Sequence, residues 1–321
     1  MTDEVPTDQC DSAAKTRGRR PGVGPVRGRI LRSTAVLPGV FTISNGLLGF
    51  AAIHFATKGA AGFEAALSNE AVACWLIFAA MICDMLDGRL ARMTRRTSDF
   101  GGQLDSMCDV ISFGVAPAMV MVRAVLAILG EVSLLSGNRL IERAVWAVAA
   151  VYVACAVLRL ARFNVENEPD ESAHMDFKGL PVPGAAAAVA SLVMLFEHLQ
   201  NTRGRGWLST SWLKAEWFAV QWILIAVCVV LPAVTLLSGL LMVSRFRYAH
   251  LVNQYVRGKR PFGYLVKVLV VALAAVLEPL ITLAAAAIAF AASGPAGATY
   301  RKLHGPKPKE PNETFPEHAG Q

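Results

Sequence analysis

The sequence predicts an all-α fold, namely a polytopic membrane bundle of about eight transmembrane helices. Two observations support this prediction. The 321-residue chain is 54% hydrophobic and only 17% charged, with a mean hydropathy of +0.44, which is too apolar for an ordinary soluble domain. It also contains four runs without charged residues, near or above the roughly 20 residues that a membrane-spanning helix needs. These runs are 33–57, 179–196, 217–244 and 279–300.

The remaining helices are predicted from shorter apolar runs. Residues 71–83, 110–122 and 144–158 reach membrane-spanning length only when neighbouring charged residues are included. The closing segment 265–293 is apolar apart from Lys267 and Glu278, and a proline after Glu278 favours two short spans. The eight predicted spans are 34–57, 71–92, 105–129, 144–163, 179–198, 217–244, 264–278 and 279–294.

The segments on either side of these spans are polar. Residues 1–33 are basic and rich in Gly, Pro and Arg, and residues 295–321 are also polar for most of their length. Both are predicted to be disordered tails that flank a membrane domain at 34–294. The first span is too long, and too far from the N-terminus, for a cleaved signal peptide.

The distribution of Lys and Arg predicts the orientation of the spans. With the N-terminus inside, 23 of these residues lie on the inner side and six on the outer side. Because basic residues favour the cytoplasmic side, we expect both termini and the aspartates between residues 84 and 109 there, in a multi-pass plasma-membrane protein. A basic rim facing anionic lipid explains the net charge of +7 without a nucleic-acid partner.

The six cysteines and six histidines do not predict a zinc site. The cysteines form no CxxC pair, and the histidines lack HxxxH and HxxEH spacing. Five of the cysteines fall in or beside predicted spans, where we expect buried free thiols.

Four aspartates interrupt the apolar pattern near the second and third spans. Asp84 and Asp87 are spaced i, i+3, and Asp105 and Asp109 are spaced i, i+4, so each pair lies on one helix face. A carboxylate near the bilayer centre costs about 3 kcal/mol on insertion scales, so a positive partner is expected. Oxygen ligands of this kind suit Mg²⁺, Mn²⁺ or Ca²⁺, and four carboxylates can hold two such ions.

Two alternative explanations of these aspartates involve no catalysis. They could be solvated residues at helix ends, with Asp105 as an N-terminal cap and the nearby arginines as partners. They could also mark the ion pathway of a divalent-cation transporter, since intramembrane acids often do so. The second half of the chain has no inverted repeat and no matching acidic pair, which weakens the transporter hypothesis.

The spacing of these residues resembles the signature of the CDP-alcohol phosphotransferases. All eight fixed positions are present, as Asp84-x-x-Asp87-Gly88-x-x-Ala91-Arg92, eight residues, and then Gly101-x-x-x-Asp105-x-x-x-Asp109. The resemblance implies a helical membrane enzyme that transfers the phosphatidyl or a related group of a CDP-linked lipid to a small alcohol and releases CMP. It also implies a homodimer.

The resemblance further implies roles for individual residues. Asp84, Asp87 and Asp105 would be metal ligands, and Asp109 would be the general base on the incoming hydroxyl, close to or on the second metal. The contacts implied for CDP-diacylglycerol are Gly88, Ala91, Arg92, Ser98 and Asn45. Asn45 is a polar residue within the first span, where it needs a partner on another helix or on the nucleotide, and the resemblance favours the nucleotide.

Further stretches resemble the phosphatidylserine synthase branch of this family. They are LPGVFTISNGLLGF (37–50), SFGVAPAMV (112–120), LRLARFNV (158–165) and FKGLPVPGAAA (177–187). They imply that the acceptor is L-serine, that the products are phosphatidylserine and CMP, and that two Mg²⁺ or Mn²⁺ ions are used. A sister transferase that uses glycerol phosphate or inositol phosphate is the alternative.

The serine carboxylate requires a basic partner, and the inner end of the fourth span offers two. We expect Arg159 or Arg162 to contact this carboxylate or a phosphate of the lipid substrate. Basic residues at the inner end of a span also commonly reach towards lipid headgroups, so that explanation is retained for both arginines.

Overall fold

The computed structural model describes residues 26–58, 68–94, 99–131, 137–166, 177–203, 217–248 and 262–304. These residues are almost entirely helical, which confirms the predicted all-α class. In chain order the helices are α1 (Val26–Thr57), α2 (Asn69–Thr94), α3 (Asp99–Asp109), a π-helix (Val110–Val115), α4 (Ala116–Glu131), α5 (Arg139–Glu166), α6 (Val182–Arg203), α7 (Trp217–Val243), α8 (Phe262–Leu277) and α9 (Pro279–His304). Two short strands, β1 (Phe177–Lys178) and β2 (Arg247–Tyr248), pair antiparallel.

The chain is a multi-pass membrane protein. In the described segments, seven helical stretches are long and apolar enough to cross a membrane: Gly39–Thr57, Asn69–Leu90, Phe100–Gly130, Arg139–Val165, Val182–Leu199, Leu224–Val243 and Pro279–Tyr300. The seventh predicted span, 264–278, corresponds to α8, whose apolar part, Val268–Leu277, is shorter. The predicted break before Pro279 is confirmed, because α9 starts at that residue.

Several helices extend beyond their predicted ends. Helix α3 starts at Asp99 rather than at 105, so Asp105 lies inside the helix and does not cap it. Helix α1 starts at Val26 and α9 continues to His304, so both enter segments that the sequence predicts as tails. Extending an existing helix adds one hydrogen bond per residue and avoids the free-energy cost of nucleating a new helix, which favours such continuation. Residues 1–25 and 305–321 lie outside the described residues, and their disorder stays a prediction.

The centre of the bundle is formed by α4 and α6. Side chains of α4 such as Val120, Met121 and Val125 are fully buried, and so are Ala185 and Val189 of α6. The run of alanines at the start of α6 presents little side-chain volume, which allows its neighbours to approach closely. These two helices form the scaffold against which the helices of the site are packed.

Helix α1 lies very close to the end of α3 and to the π-helix. A Cβ atom added at Gly46 would lie 2.9 Å from Cys108 Sγ, and one added at Gly49 would lie 2.6 Å from Ser112 Cα. At Gly49 only glycine leaves enough space, because the added atom would meet the backbone of Ser112, whereas at Gly46 it would meet the end of the Cys108 side chain. The glycines therefore bring the backbone of α1 next to the segment that contains Asp109.

The π-helix follows Asp109 directly and joins α3 to α4 without a break. Its residues Ser112, Phe113 and Gly114 are buried. A π-helix places one additional residue in the turn, which shifts the faces of the flanking helices relative to each other, and such turns are frequent at functional sites. The sequence analysis did not predict it, because a single π-turn does not produce a repeating hydrophobic pattern.

The small sheet connects the segment before α6 to the segment after α7, and Tyr248 connects it to α9. Pro295 has no N–H, so it cannot donate to the carbonyl of Ala291 four residues earlier in α9. The hydroxyl of Tyr248 donates to this carbonyl at 3.0 Å. The tyrosine ring fits against Gly294, and burial raises the pKa of Tyr248 to about 12, so the hydroxyl remains a donor at neutral pH.

Candidate active site

The structure brings together three of the four aspartates that the sequence singles out. Asp84 comes from α2, and Asp105 and Asp109 come from α3. One carboxylate oxygen from each residue lies within 4.8 Å of the other two. Asp109 is only 7% exposed, whereas Asp84 and Asp105 are half-buried. Two helices that are separate in the sequence thus present their carboxylates to one point.

Asp87, the fourth aspartate, has a different environment. It is buried, and its Oδ2 accepts a hydrogen bond from the hydroxyl of Thr42 in α1. It is not part of the group of three whose oxygens lie within 4.8 Å of one another. The hydroxyl of Thr42 therefore compensates part of the cost of burying this carboxylate. No sequence pattern indicates this role of Thr42.

Asn45 connects α1 to Asp109. Its side-chain nitrogen donates to Asp109 Oδ1 at 2.9 Å, and its backbone carbonyl accepts a hydrogen bond from Ser112 Oγ at 2.8 Å. The residue is fully buried, and its side-chain oxygen has no hydrogen-bond partner among the described residues. The sequence predicts a partner for Asn45 either on another helix or on the nucleotide, and in the structure its side chain bonds to Asp109 of α3.

The three clustered carboxylates are suited to a divalent cation. Among the residues whose side chains the structure describes, no Lys or Arg forms an ion pair with any of them. Asp105 Oδ1 is buried and receives no hydrogen bond from any residue that the structure describes. Buried anionic oxygens of this kind are the ligands that Mg²⁺, Mn²⁺ and Ca²⁺ prefer. The residues present therefore fit the metal that the sequence predicts.

Open space adjoins α2 next to these carboxylates. Gly88 is exposed, and a Cβ atom added there would meet no described residue outside its own helical turn within 4 Å. Ala91 and Arg92 continue the same helix, and the structure describes their backbone only. Ser98 lies outside the described residues.

The two arginines expected near the acceptor lie in the last turns of α5. Arg159 Nη1 donates to the backbone carbonyl of Met242 at 3.2 Å, at the end of α7. The same nitrogen lies close to Gly179, which has a φ of +86° and so needs to be glycine. Arg162 follows one turn later and is half-buried. Arg159 thus connects α5 to α7 and to the segment before α6.

A polar pair joins α3 to α5 beside the clustered aspartates. The side-chain nitrogen of Asn164 donates to Ser106 Oγ at 2.9 Å. Ser106 Oγ lies 3.1 Å from two acceptors, the carbonyl of Gly102 and Asn164 Oδ1. Asn164 belongs to the LRLARFNV stretch that the sequence analysis noted, although the residue itself was not identified, because sequence spacing does not connect it to Ser106.

Comparison with known proteins identifies a family and several similar sequences. The profile of the CDP-alcohol phosphatidyltransferase family matches residues 35–222. The CDP-diacylglycerol–serine O-phosphatidyltransferase of Helicobacter pylori (strain ATCC 700392 / 26695) is 36% identical over 160 residues, which cover 50% of this chain and 58% of that protein.

Two further relatives have the same name. The protein from Mycobacterium tuberculosis (strain ATCC 25618 / H37Rv) is 34% identical over 188 residues, covering 58% of this chain and 57% of that protein. The protein from Bacillus subtilis (strain 168) is 32% identical over 156 residues, covering 49% and 74%. The matched region thus spans just over half the length of the Helicobacter and Mycobacterium proteins. Because the family profile covers more than half of the sequence and includes all four aspartates, the chain belongs to the CDP-alcohol phosphatidyltransferase family.

Proposed function

We propose that this protein transfers the phosphatidyl group of CDP-diacylglycerol to L-serine, producing phosphatidylserine and CMP. The observation that carries the proposal is the meeting of Asp84, Asp105 and Asp109 within 4.8 Å in a member of this family. The choice of serine is supported by the names of the matched relatives, which are CDP-diacylglycerol–serine O-phosphatidyltransferases.

The four aspartates are proposed to hold two divalent cations, Mg²⁺ or Mn²⁺. Asp84, Asp105 and Asp109 provide oxygens close enough to share one ion, and Asp87 stands one turn after Asp84 on the same helix. When bound, such cations neutralise a pyrophosphate and stabilise the departing CMP. The unpartnered Oδ1 of Asp105 supports a cation ligand at this position.

Asp109 is proposed to be the general base. Its Oδ1 is held by Asn45, which fixes the carboxylate and leaves Oδ2 to accept the proton of the serine hydroxyl. The hydroxyl oxygen then forms a bond to the phosphatidyl phosphorus, and the bond from this phosphorus to the CMP oxygen breaks. The burial of Asp109 keeps competing water away from the reacting hydroxyl.

The lipid nucleotide is proposed to lie along α2 and α1. The open space beside Gly88 supports close approach of the cytidine diphosphate to the backbone of α2. The unpartnered side-chain oxygen of Asn45 offers an acceptor for the nucleotide. The remaining proposed contacts are with Ala91, Arg92 and Ser98, of which Arg92 would pair with phosphate oxygens.

Arg159 and Arg162 are proposed to contact the serine carboxylate or a phosphate of the lipid substrate. Their position at the end of α5, the helix that also reaches Ser106, supports this role. The bond from Arg159 to Met242 holds one guanidinium nitrogen in place, which limits the directions in which this side chain can move.

The distribution of basic residues supports an active site on the cytoplasmic side of the bilayer, and we propose the plasma membrane as the location. We also propose a homodimer, on the basis of the family alone.

The test is to offer the purified protein CDP-diacylglycerol together with L-serine, glycerol 3-phosphate or inositol phosphate, with and without Mg²⁺ or Mn²⁺. We expect CMP and phosphatidylserine with serine and metal only, and a loss of at least a hundredfold in rate for Asp109→Asn, since the general base is removed. A lipid product formed with another alcohol instead of serine would contradict the choice of acceptor. Cation uptake into vesicles without consumption of CDP-diacylglycerol would indicate a transporter.

A further inference from the structure

We propose that Asn164, positioned by Ser106, binds the ammonium group of the amino-acid acceptor and thereby selects serine over alcohols that lack an amine. This inference rests on the proposed function, because it assigns a substrate contact within the same site. Four features of the structure support it: the alignment of α5 with α3, the hydrogen bonds between Asn164 and Ser106, the neutral charge of this pair, and the face of α3 on which the pair lies.

Helix α5 runs antiparallel to α3 and the π-helix in a constant register. Near the middle of α5, a Cβ atom added at Gly114 would lie 3.4 Å from Ala156 Cβ. Eight residues earlier on α3, Ser106 contacts Asn164, which is eight residues later on α5. The end of α5 therefore lies alongside the turn of α3 that contains Asp105 and Asp109. Ser106 follows Asp105 directly and stands one turn before Asp109, on a neighbouring part of the helix surface.

The hydrogen bonds of the pair leave an acceptor available. The side-chain nitrogen of Asn164 donates to Ser106 Oγ, and the single hydroxyl hydrogen of Ser106 can go to the carbonyl of Gly102 at 3.1 Å. In this arrangement Asn164 Oδ1 receives no hydrogen from Ser106, and when Ser106 donates to this oxygen instead, at 3.1 Å, the oxygen keeps a second lone pair. Asn164 is exposed, so its oxygen is accessible to a ligand. A carbonyl oxygen in this state is an acceptor for the N–H groups of an ammonium ion.

The neutral charge of the pair suits this position. A carboxylate in place of Asn164 would add a negative charge beside the three clustered aspartates and near the pyrophosphate of the proposed lipid substrate, where like charges repel. A carboxamide provides an acceptor for the ammonium group without this repulsion. Asn is therefore better suited to this position than Asp or Glu.

The pair also lies on the side of α3 away from the proposed nucleotide contacts. Helix α1 approaches α3 and the π-helix at Cys108, Asp109 and Ser112. Helix α5 approaches at Ser106 and Gly114 instead. With the nucleotide on the side of α1 and α2, the acceptor can reach Asp109 from the side of α5, where Asn164 is the exposed polar group that the structure describes next to Ser106.

The test measures steady-state kinetics of the full-length protein with serine as the varied substrate. We expect Asn164→Ala to raise KM for serine about tenfold, which corresponds to the loss of one hydrogen bond to a charged group, with little change in kcat. Asn164→Asp retains an acceptor oxygen and is expected to raise KM less. Ser106→Ala, which leaves the carboxamide without its anchor, is expected to raise KM for serine about threefold, with KM for CDP-diacylglycerol unchanged.

Two control variants account for general effects of substitution. Val165→Ala changes the exposed neighbour of Asn164, and Ser293→Ala removes an exposed hydroxyl of α9 that, like Ser106, bonds to a carbonyl of its own helix. Both are expected to retain the wild-type KM for serine. Metal-dependent binding of CMP, measured by calorimetry, shows that each variant is folded.

Two negative results have different meanings. If the wild-type protein forms phosphatidylserine and Asn164→Ala has an unchanged KM for serine, the role of Asn164 is wrong and the proposed function stands. The same conclusion follows if KM for CDP-diacylglycerol rises by the same factor, because the substitution then disturbs the whole site. If the wild-type protein forms no phosphatidylserine, the proposed function fails and the role of Asn164 with it.

Discussion

Asn45 is the residue whose environment most directly connects packing to chemistry. It is fully buried between α1 and α3, donates to Asp109, and accepts from Ser112 in the π-helix. A buried carboxylate without a donor is costly, so this hydrogen bond determines which orientation of Asp109 is favourable. The proposed general base thus depends on a residue more than 60 positions earlier in the sequence.

Replacing Asn45 with alanine is expected to lower kcat about 10- to 100-fold, because a hydrogen bond to a charged group is lost and Asp109 is free to rotate. Loss of the proposed nucleotide contact would appear separately, as a higher KM for CDP-diacylglycerol. Steady-state kinetics with each substrate varied in turn distinguishes the two effects. Ser44→Ala, which removes the neighbouring hydroxyl on α1, is the matched control. Identical kinetics for the two variants would contradict both roles of Asn45.

At the scale of residues, the sequence predicts groups that share one helix and does not predict pairs that form between helices. The spacing of Asp105 and Asp109 defines one face of α3. Their meeting with Asp84 of α2 was expected because these carboxylates need a shared cation, and not from the spacing. The hydrogen bond from Thr42 to Asp87 depends on how α1 packs against α2, and the apolar pattern of α1 contains no information on that packing. Asn164 was not identified for the same reason.

At the scale of elements, the link between Tyr248 and α9 compensates a defect in the helix. Pro295 leaves the carbonyl of Ala291 without its helical donor, and the hydroxyl of Tyr248 replaces that donor. The interaction also attaches β2 to the last helix of the bundle. The position of the strand is therefore fixed by α9 as well as by its pairing with β1.

Tyr248→Phe is expected to lower the free energy of unfolding by about 1–3 kcal/mol, because the buried carbonyl of Ala291 is left without a donor. Unfolding in detergent, followed by circular dichroism, provides the measurement. Pro295→Ala restores an N–H that can donate to this carbonyl. In the Pro295→Ala background, Tyr248→Phe should therefore lower the free energy of unfolding by less. Equal costs in the two backgrounds would show that the hydroxyl does not compensate for the proline.

The elements that the sequence predicts well are those determined by composition alone. The charge-free runs correspond to spans in α1, α6, α7 and α9, because an apolar helix satisfies its backbone hydrogen bonds within the segment and exposes no charge to hydrocarbon. The π-helix and the two-residue strands were not predicted. Each is shorter than the window over which a hydrophobic pattern can be recognised, and each is determined by contacts with other elements.

At the scale of the whole molecule, the fold places mutually repelling charges inside a membrane protein. Asp84, Asp105 and Asp109 come from two helices, so their repulsion acts to separate α2 from α3. A cation bound between them reverses this effect, because it attracts both helices to the same point. Binding to the native state alone also stabilises that state by mass action, by about 2.7 kcal/mol at a hundredfold excess over Kd.

We therefore expect Mg²⁺ or Mn²⁺ to raise the unfolding temperature of the wild-type protein by several degrees, and a chelator to reverse the increase. For Asp105→Asn, the sign of the stability difference from the wild type should depend on the cation. Without cation it should be more stable than the wild type, because one repelling charge is removed, and with cation it should be less stable, because a ligand is lost. Glu142→Gln, which neutralises an exposed acidic residue at the start of α5, should behave as the wild type in both conditions. If the chelator leaves the wild-type unfolding temperature unchanged, these carboxylates do not hold a cation that stabilises the bundle.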